Sequence, residues 1–127
     1  MPARRDDSGM ADTVSWVVEL ALRPLALESF RSLTDEMVEA TRAEPGALVY
    51  ERFVSGDGGT VHVYERYVDS DAALSHLRMF ADRFAERFAA LVERRRLLVY
   101  GDPSPELRAV LDGIGAVYLR LLGGFSR

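Results

Sequence analysis

Residues 49–53 read Val-Tyr-Glu-Arg-Phe and residues 63–67 read Val-Tyr-Glu-Arg-Tyr, with the segment Val54-Ser55-Gly56-Asp57-Gly58-Gly59-Thr60-Val61-His62 between them. Two runs rich in β-branched and aromatic residues on either side of Asp-Gly form a β-hairpin, and Asp-Gly favours a two-residue type I′ turn. A turn at Asp57-Gly58 sets Tyr50 opposite Glu65, Glu51 opposite Tyr64, Val49 opposite Arg66 and Arg52 opposite Val63. Each tyrosine then faces a carboxylate. Each carboxylate also has an arginine on its diagonal, Arg66 for Glu51 and Arg52 for Glu65. Slipping the strands by one residue breaks these pairs and turns every side chain to the other face of the sheet. The repeated word is therefore a register code; its arginines favour a structural ion-pair role for Glu51 and Glu65, with action as bases when desolvated as the alternative.

The same register sorts the hairpin into two faces. Leu48, Tyr50, Arg52, Val54, Val61, Val63, Glu65 and Tyr67 share one. Val49, Glu51, Phe53, His62, Tyr64 and Arg66 share the other. Helices from one chain cover a single face, and the second face is too aromatic to be left in water. A second sheet packed against it implies a homodimer.

The flanking segments complete the plan. Val14-Ser15-Trp16-Val17-Val18-Glu19-Leu20-Ala21-Leu22 is apolar enough for a central strand buried on both sides, and Pro24 ends it. Ala26, Phe30, Leu33, Met37 and Ala40 form one stripe of an amphipathic helix, which Glu44-Pro45-Gly46 stops. Asp69 or Ser70 caps a second helix, whose stripe is Leu77, Phe80, Phe84, Phe88 and Leu91. Arg94, Arg95 and Arg96 follow its end, where cations suit the helix dipole, and residues 96–100 are a fourth strand. The order is β-α-β-β-α-β, a ferredoxin-like α+β fold with an antiparallel sheet. Ser104-Pro105-Glu106 opens a short further helix, and residues 116–122 read as a short strand. Residues 1–12 are expected to be a disordered tail, 13–101 the folded domain, and 102–127 an extension packing on the same domain or on a partner subunit.

Composition narrows the function. The net charge of the 127-residue chain is −4, which argues against a nucleic-acid partner. There are no cysteines, which removes disulfides, thiolate chemistry and cysteine-based zinc sites and fits a reducing cytoplasm. No apolar run is long enough to span a membrane. No phosphate loop, paired-histidine metal spacing or Ser-His-Asp set is visible.

Glu44-Pro45-Gly46-Ala47-Leu48-Val49-Tyr50-Glu51 resembles the E-P-G-x-x-x-Y-E stretch of antibiotic-biosynthesis monooxygenase domains. Glu65-Arg66-Tyr67, followed by Ser70-Asp71-Ala72-Ala73-Leu74 and His76-Leu77, is similar to the next conserved segment of that family. The resemblance covers residues 14–100 and implies a dimeric α+β barrel. It also implies oxidation of a phenolic, quinol or polyketide-like molecule by O2 with no cofactor and no metal. A haem-degrading branch uses asparagine, tryptophan and histidine at positions occupied here by Val17, Tyr67 and Glu86, so haem chemistry of that kind is not implied.

Such a reaction needs a base to deprotonate the substrate and donors to hold the anion in a dry pocket. Histidine is the default base, and the chain has two, His62 and His76. His62 reads equally as an interface residue, and His76 as a solvated or capping helix residue. Tyr67, at the junction of strand and helix, is the best-placed hydroxyl donor. Tyr50, Tyr64, Trp16, Phe80 and Phe84 are the expected substrate-binding side chains, each with core packing as the alternative. Arg83, Arg87 and Arg94 to Arg96 form a basic cluster, a solvated face or an attractor for an anionic substrate. The partners expected are a small hydrophobic or aromatic substrate, O2 and a second copy of the chain. A non-catalytic barrel binding a hydrophobic ligand, and a polyketide cyclase or isomerase using the same pocket, are the alternatives.

Overall fold

A computed structural model describes residues 12–127. Residues 1–11, and with them all but the last residue of the expected tail, lie outside it. The chain runs β1 (Val14–Leu22), α1 (Leu27–Arg42), β2 (Ala47–Val54), β3 (Thr60–Tyr67), α2 (Ser70–Arg83), α3 (Ala85–Leu91), β4 (Val92–Gly101), α4 (Pro105–Asp112) and β5 (Val117–Leu119). The strands form one sheet in the order β2-β3-β1-β4-β5. The first four alternate in direction, and β5 adds to β4 in parallel. This is the ferredoxin-like α+β arrangement expected from the sequence, with one extra strand.

The hairpin has the register that the repeated word encodes: Tyr50 pairs with Glu65, Glu51 with Tyr64, Val49 with Arg66 and Arg52 with Val63. The turn itself is different. Only Gly58 has positive φ there, whereas a type I′ turn needs it at Asp57 as well. The Gly58 N–H donates to the Ser55 carbonyl, and the Thr60 N–H donates to Ser55 Oγ. Asp57 Oδ1 accepts from Ser55 Oγ at 2.7 Å and from the Gly59 N–H at 2.9 Å. Gly56 to Gly59 thus make a wider loop about the same centre, so the pairing survives the change of turn. At the other end of β2 the register shifts between Ala47 and Val49. Leu48 is the extra residue of this bulge. It is exposed, and Ala47 takes the inward place expected for Leu48.

Two clusters fill the space between sheet and helices. One gathers Leu20, Val61 and Val63 of the sheet under Phe30, Leu33, Met37, Phe84 and Phe88. The other gathers Val14, Trp16, Tyr67 and Val99 with Ala73 and Leu74 of α2 and Leu107 and Leu111 of α4. On α1 the fourth buried position is Thr41 rather than Ala40. Among the described residues no helix covers the opposite face of the sheet, and Phe53 on it is 58% exposed. On β1, Val17, Glu19 and Ala21 are accordingly only half-buried, so a single chain buries one face of that strand and not both.

Two expectations for the second half of the chain are corrected. The stripe from Leu77 to Leu91 is carried by two helices, because the backbone leaves the helical region at Phe84 (φ −127°). Phe84 consequently turns into the core between α2 and α3. Arg94 to Arg96 do not cap a helix end. They lie in β4, which starts at Val92.

Candidate active site

The site begins at the Glu44-Pro45-Gly46 turn. A Cβ on Gly46 would stand 2.5 Å from Ala72 Cβ, so only glycine lets this turn press against the first turn of α2. The Val68 N–H donates to the Gly46 carbonyl, and Asp69 Oδ1 caps α2 by accepting from the Ala72 N–H at 2.8 Å. These contacts fix α2, which directs Ala73, Leu74 and His76 inward. Glu44 Oε1 and Oε2 each stand 3.2 Å from His76 Nδ1.

His76 is 3% exposed, and its Nε2 lies 3.4 Å from Glu65 Oε1. The Tyr67 hydroxyl donates to the same Glu65 oxygen at 2.6 Å. Aromatic rings wall the group in. Tyr50 meets His76 edge-on at 5.2 Å between ring centres, Tyr67 packs on it at 5.1 Å, and Trp16 lies 5.2 Å from Tyr67. Glu65 is buried on β3.

Burial pushes the Glu65 carboxyl above the usual carboxylate range. Tyr67, Trp16 and the Arg52 charge oppose the rise and are outweighed. Burial likewise pushes His76 down to about 4, and Arg52 adds to the effect. Both shifts favour the neutral forms, a protonated Glu65 and a neutral imidazole. Glu44 carboxylate then fixes the tautomer by accepting from Nδ1–H, which leaves Nε2 free to take a proton. The Tyr67 and Tyr50 hydroxyls are both held far from ionising, by burial first and by Glu65 second.

Arg52 does not pair with Glu65 as the diagonal suggested. Its guanidinium donates to Tyr50 Oη at 2.8 Å and to Thr34 Oγ1 at 2.9 Å, and it lies over the Tyr50 ring. Its Nε is buried with no partner. Glu65 is left to His76 and Tyr67, so the arginine pairing that favoured a structural role for it over that of a desolvated base is absent.

A cavity open to solvent at its mouth lies beside this group. Glu65, Tyr50, Arg52 and Trp16 line one side. Phe80, Phe88 and Leu97 supply apolar wall, and Leu111 and Ile114 of the C-terminal segment close another side. His76 stands behind Glu65 and Tyr50. Of the side chains singled out in the sequence, His76, Tyr67, Tyr50, Trp16 and Phe80 thus come together. Three do not. His62 and Tyr64 point to the uncovered face of the sheet, because they alternate with Val61, Val63 and Glu65 along β3. His62 is exposed there, 3.8 Å from Glu19. Phe84 packs in the core cluster under α1 instead of lining the cavity. Among the described residues no three His, Asp or Glu side chains are disposed to hold a metal ion, and no helix is long and apolar enough to cross a membrane.

The split β-α-β-β-α-β sheet, with a partly apolar cavity held between sheet and helices, defines a small ferredoxin-like α+β domain. The chain belongs to the antibiotic biosynthesis monooxygenase family, whose model matches residues 13–81. Among solved structures it is similar to MupZ from Pseudomonas fluorescens, with 28% identity and a TM-score of 0.81 over 91% of this chain and 95% of that one. Rv0793 from Mycobacterium tuberculosis is 28% identical over 73% of this chain and 97% of its own, with a TM-score of 0.58. SnoaB, a cofactor-independent oxygenase from Streptomyces nogalater, shares the fold at 18% identity and a TM-score of 0.63, over 74% of this chain and 96% of its own. No curated protein sequence matches.

Proposed function

We propose that this protein is a cofactor-independent monooxygenase that oxidises a small phenolic, quinol or polyketide-like molecule with O2. The observation that carries the proposal is the line Glu44–His76–Glu65 ending at an apolar cavity. Glu65 takes a proton from the bound substrate as it passes its own to His76 Nε2. Glu44 carboxylate then faces the imidazolium that forms, so a buried histidine with a low proton affinity still acts as the final acceptor. Tyr67 holds Glu65 in place. Arg52, on the same cavity, favours the substrate anion. That anion is electron-rich enough to reduce O2. For an anthrone-like CH2 group, one oxygen atom becomes the new carbonyl and the other leaves as water with the two hydrogens. Membership of the family supports this reaction. The cysteine-free composition and the uncovered sheet face support a homodimer working in the cytoplasm.

One feature favours a second reading, a cyclase or isomerase in the same pocket. Burial favours the acid form of the cavity-lining carboxyl, which is also what protonation of a substrate oxygen requires. Oxygen uptake by metal-free protein over a panel of hydroquinones and anthrones separates the two. Uptake that falls about a hundredfold in His76→Ala, the usual size of a general-base contribution, supports the monooxygenase. Conversion of a substrate without oxygen uptake supports the other reading.

A further inference from the structure

The cavity has a second cation, at the end away from Glu65. Arg94 lies on β4, where the register shifts between Glu19 and Leu20: Glu19 pairs with Arg96 and Leu20 with Arg94, leaving Arg95 as the extra residue. This bulge decides which arginine faces the helices. Leu97 and Val99 already point inward, so regular alternation would send Arg95 inward and Arg94 out. With the bulge, Arg94 shares the inward face with Val92 and Leu20 and lines the cavity from an exposed position.

Its neighbours are already paired. Arg95 meets Glu93 at 3.4 Å and Arg96 meets Glu19 at 3.2 Å, whereas Arg94 forms no hydrogen bond or ion pair among the described residues. Glu65 and Arg94 are separated by four residues along the strands and two strands across, a backbone distance of about 16 Å. Apolar side chains, Val18 and Leu97 among them, lie between.

We propose that Arg94 is an anion-recognition residue, and that the substrate is an amphiphilic acid. Its carboxylate, or an equivalent singly charged oxyanion, is held at Arg94, and its apolar body lies along the cavity toward Glu65. An arginine presents a planar fork of donors that matches a carboxylate, and such charge-assisted bonds are the stronger kind. The proposal rests on the cavity described above as the substrate site, and not on the use of O2.

Binding of 2-naphthoate and its uncharged analogue 2-naphthamide tests this at pH 7. Trp16 is the single tryptophan and lines the cavity, so quenching of its fluorescence reports occupancy. The naphthoate binds about tenfold more tightly than the amide, a preference that shrinks with added salt. Arg94→Gln removes the preference and leaves amide binding unchanged. Arg95→Gln, on the neighbour that points away, changes neither. Equal binding of acid and amide by the parent, an unaltered preference in Arg94→Gln, or no binding of either probe overturns the proposal. Acid-selective binding lost in Arg94→Gln by a protein that consumes no oxygen upholds it and removes the monooxygenase reading instead.

Discussion

His76 Nε2 stands 3.4 Å from Glu65 Oε1, and of the two side chains Glu65 lines the cavity. Two groups whose charged forms are each disfavoured by burial are set against one another. The consequence appears in the pH dependence of stability, and its sign differs between the partners. His76 is depressed to about 4 in the folded protein, against an ordinary value of 6.5. Between these values the unfolded chain binds the extra proton, so His76 makes the fold less stable as pH falls from about 6.5 to about 4. Glu65 is raised from 4.5, so the folded state holds the extra proton and stability falls as pH rises above 4.5. Glu65→Gln isolates the first slope and His76→Gln the second, each taken relative to the double variant. Urea unfolding from pH 4 to pH 7 should give slopes of opposite sign. Slopes of the same sign would show that burial does not shift the two groups in the directions described.

Tyr67→Phe keeps the ring against His76 and Trp16 but removes the donor to Glu65. A buried carboxyl without its hydrogen bond costs about 1–3 kcal/mol. Oxidation should slow by less than in His76→Ala, because the relay atoms remain. A Tyr67→Phe protein slower than His76→Ala would make the hydroxyl itself a reacting group.

Gly46→Ala places a methyl 2.5 Å from Ala72 Cβ. Forcing an extra carbon into such a contact costs about 1–3 kcal/mol, and it moves Glu44 away from His76. Ala72→Gly should restore most of the loss in the double variant, as read by urea titration. Full stability in Gly46→Ala alone would mean that the turn does not press on α2 as tightly as the geometry requires.

The sheet face carrying Phe53, Tyr64 and Val17 should bury itself in a dimer. Sedimentation at micromolar concentration should give twice the monomer mass, and Phe53→Asp should shift it toward monomer. A parent that sediments as a monomer would remove the role given to this face.

The β-α-β-β-α-β order and the hairpin register were legible in the sequence because both depend on local patterns, the period of the apolar residues and the place of the turn residues. The turn type was not, yet the register held, since Gly56 to Gly59 widen the loop evenly about its centre. Leu48 and Arg95 could not be recognised as bulged residues. A bulge answers a mismatch with the neighbouring strand, and the neighbour of β4 is β1, far away in sequence. Among the site residues, His62 and His76 stood level until alternation along β3 was fixed in space. Glu65 was hidden by its arginine. Only the packing of α1 shows that Arg52 turns to Thr34 and Tyr50, which frees Glu65 for His76 of α2 and for Tyr67 on its own strand.

The short parallel strand β5 also bears on how the protein avoids self-association through its backbone. Leu98 to Tyr100 are hydrogen-bonded to Val117–Leu119, so the most apolar length of β4 offers no free edge. The uncovered part of that edge is Glu93-Arg94-Arg95-Arg96, where charge and a bulge oppose the docking of another strand. Three residues of added strand therefore guard the protein against edge-to-edge growth into fibrils. Removing residues 117–127 should expose an aggregation-prone margin even where Glu44, His76 and Glu65 are left in place.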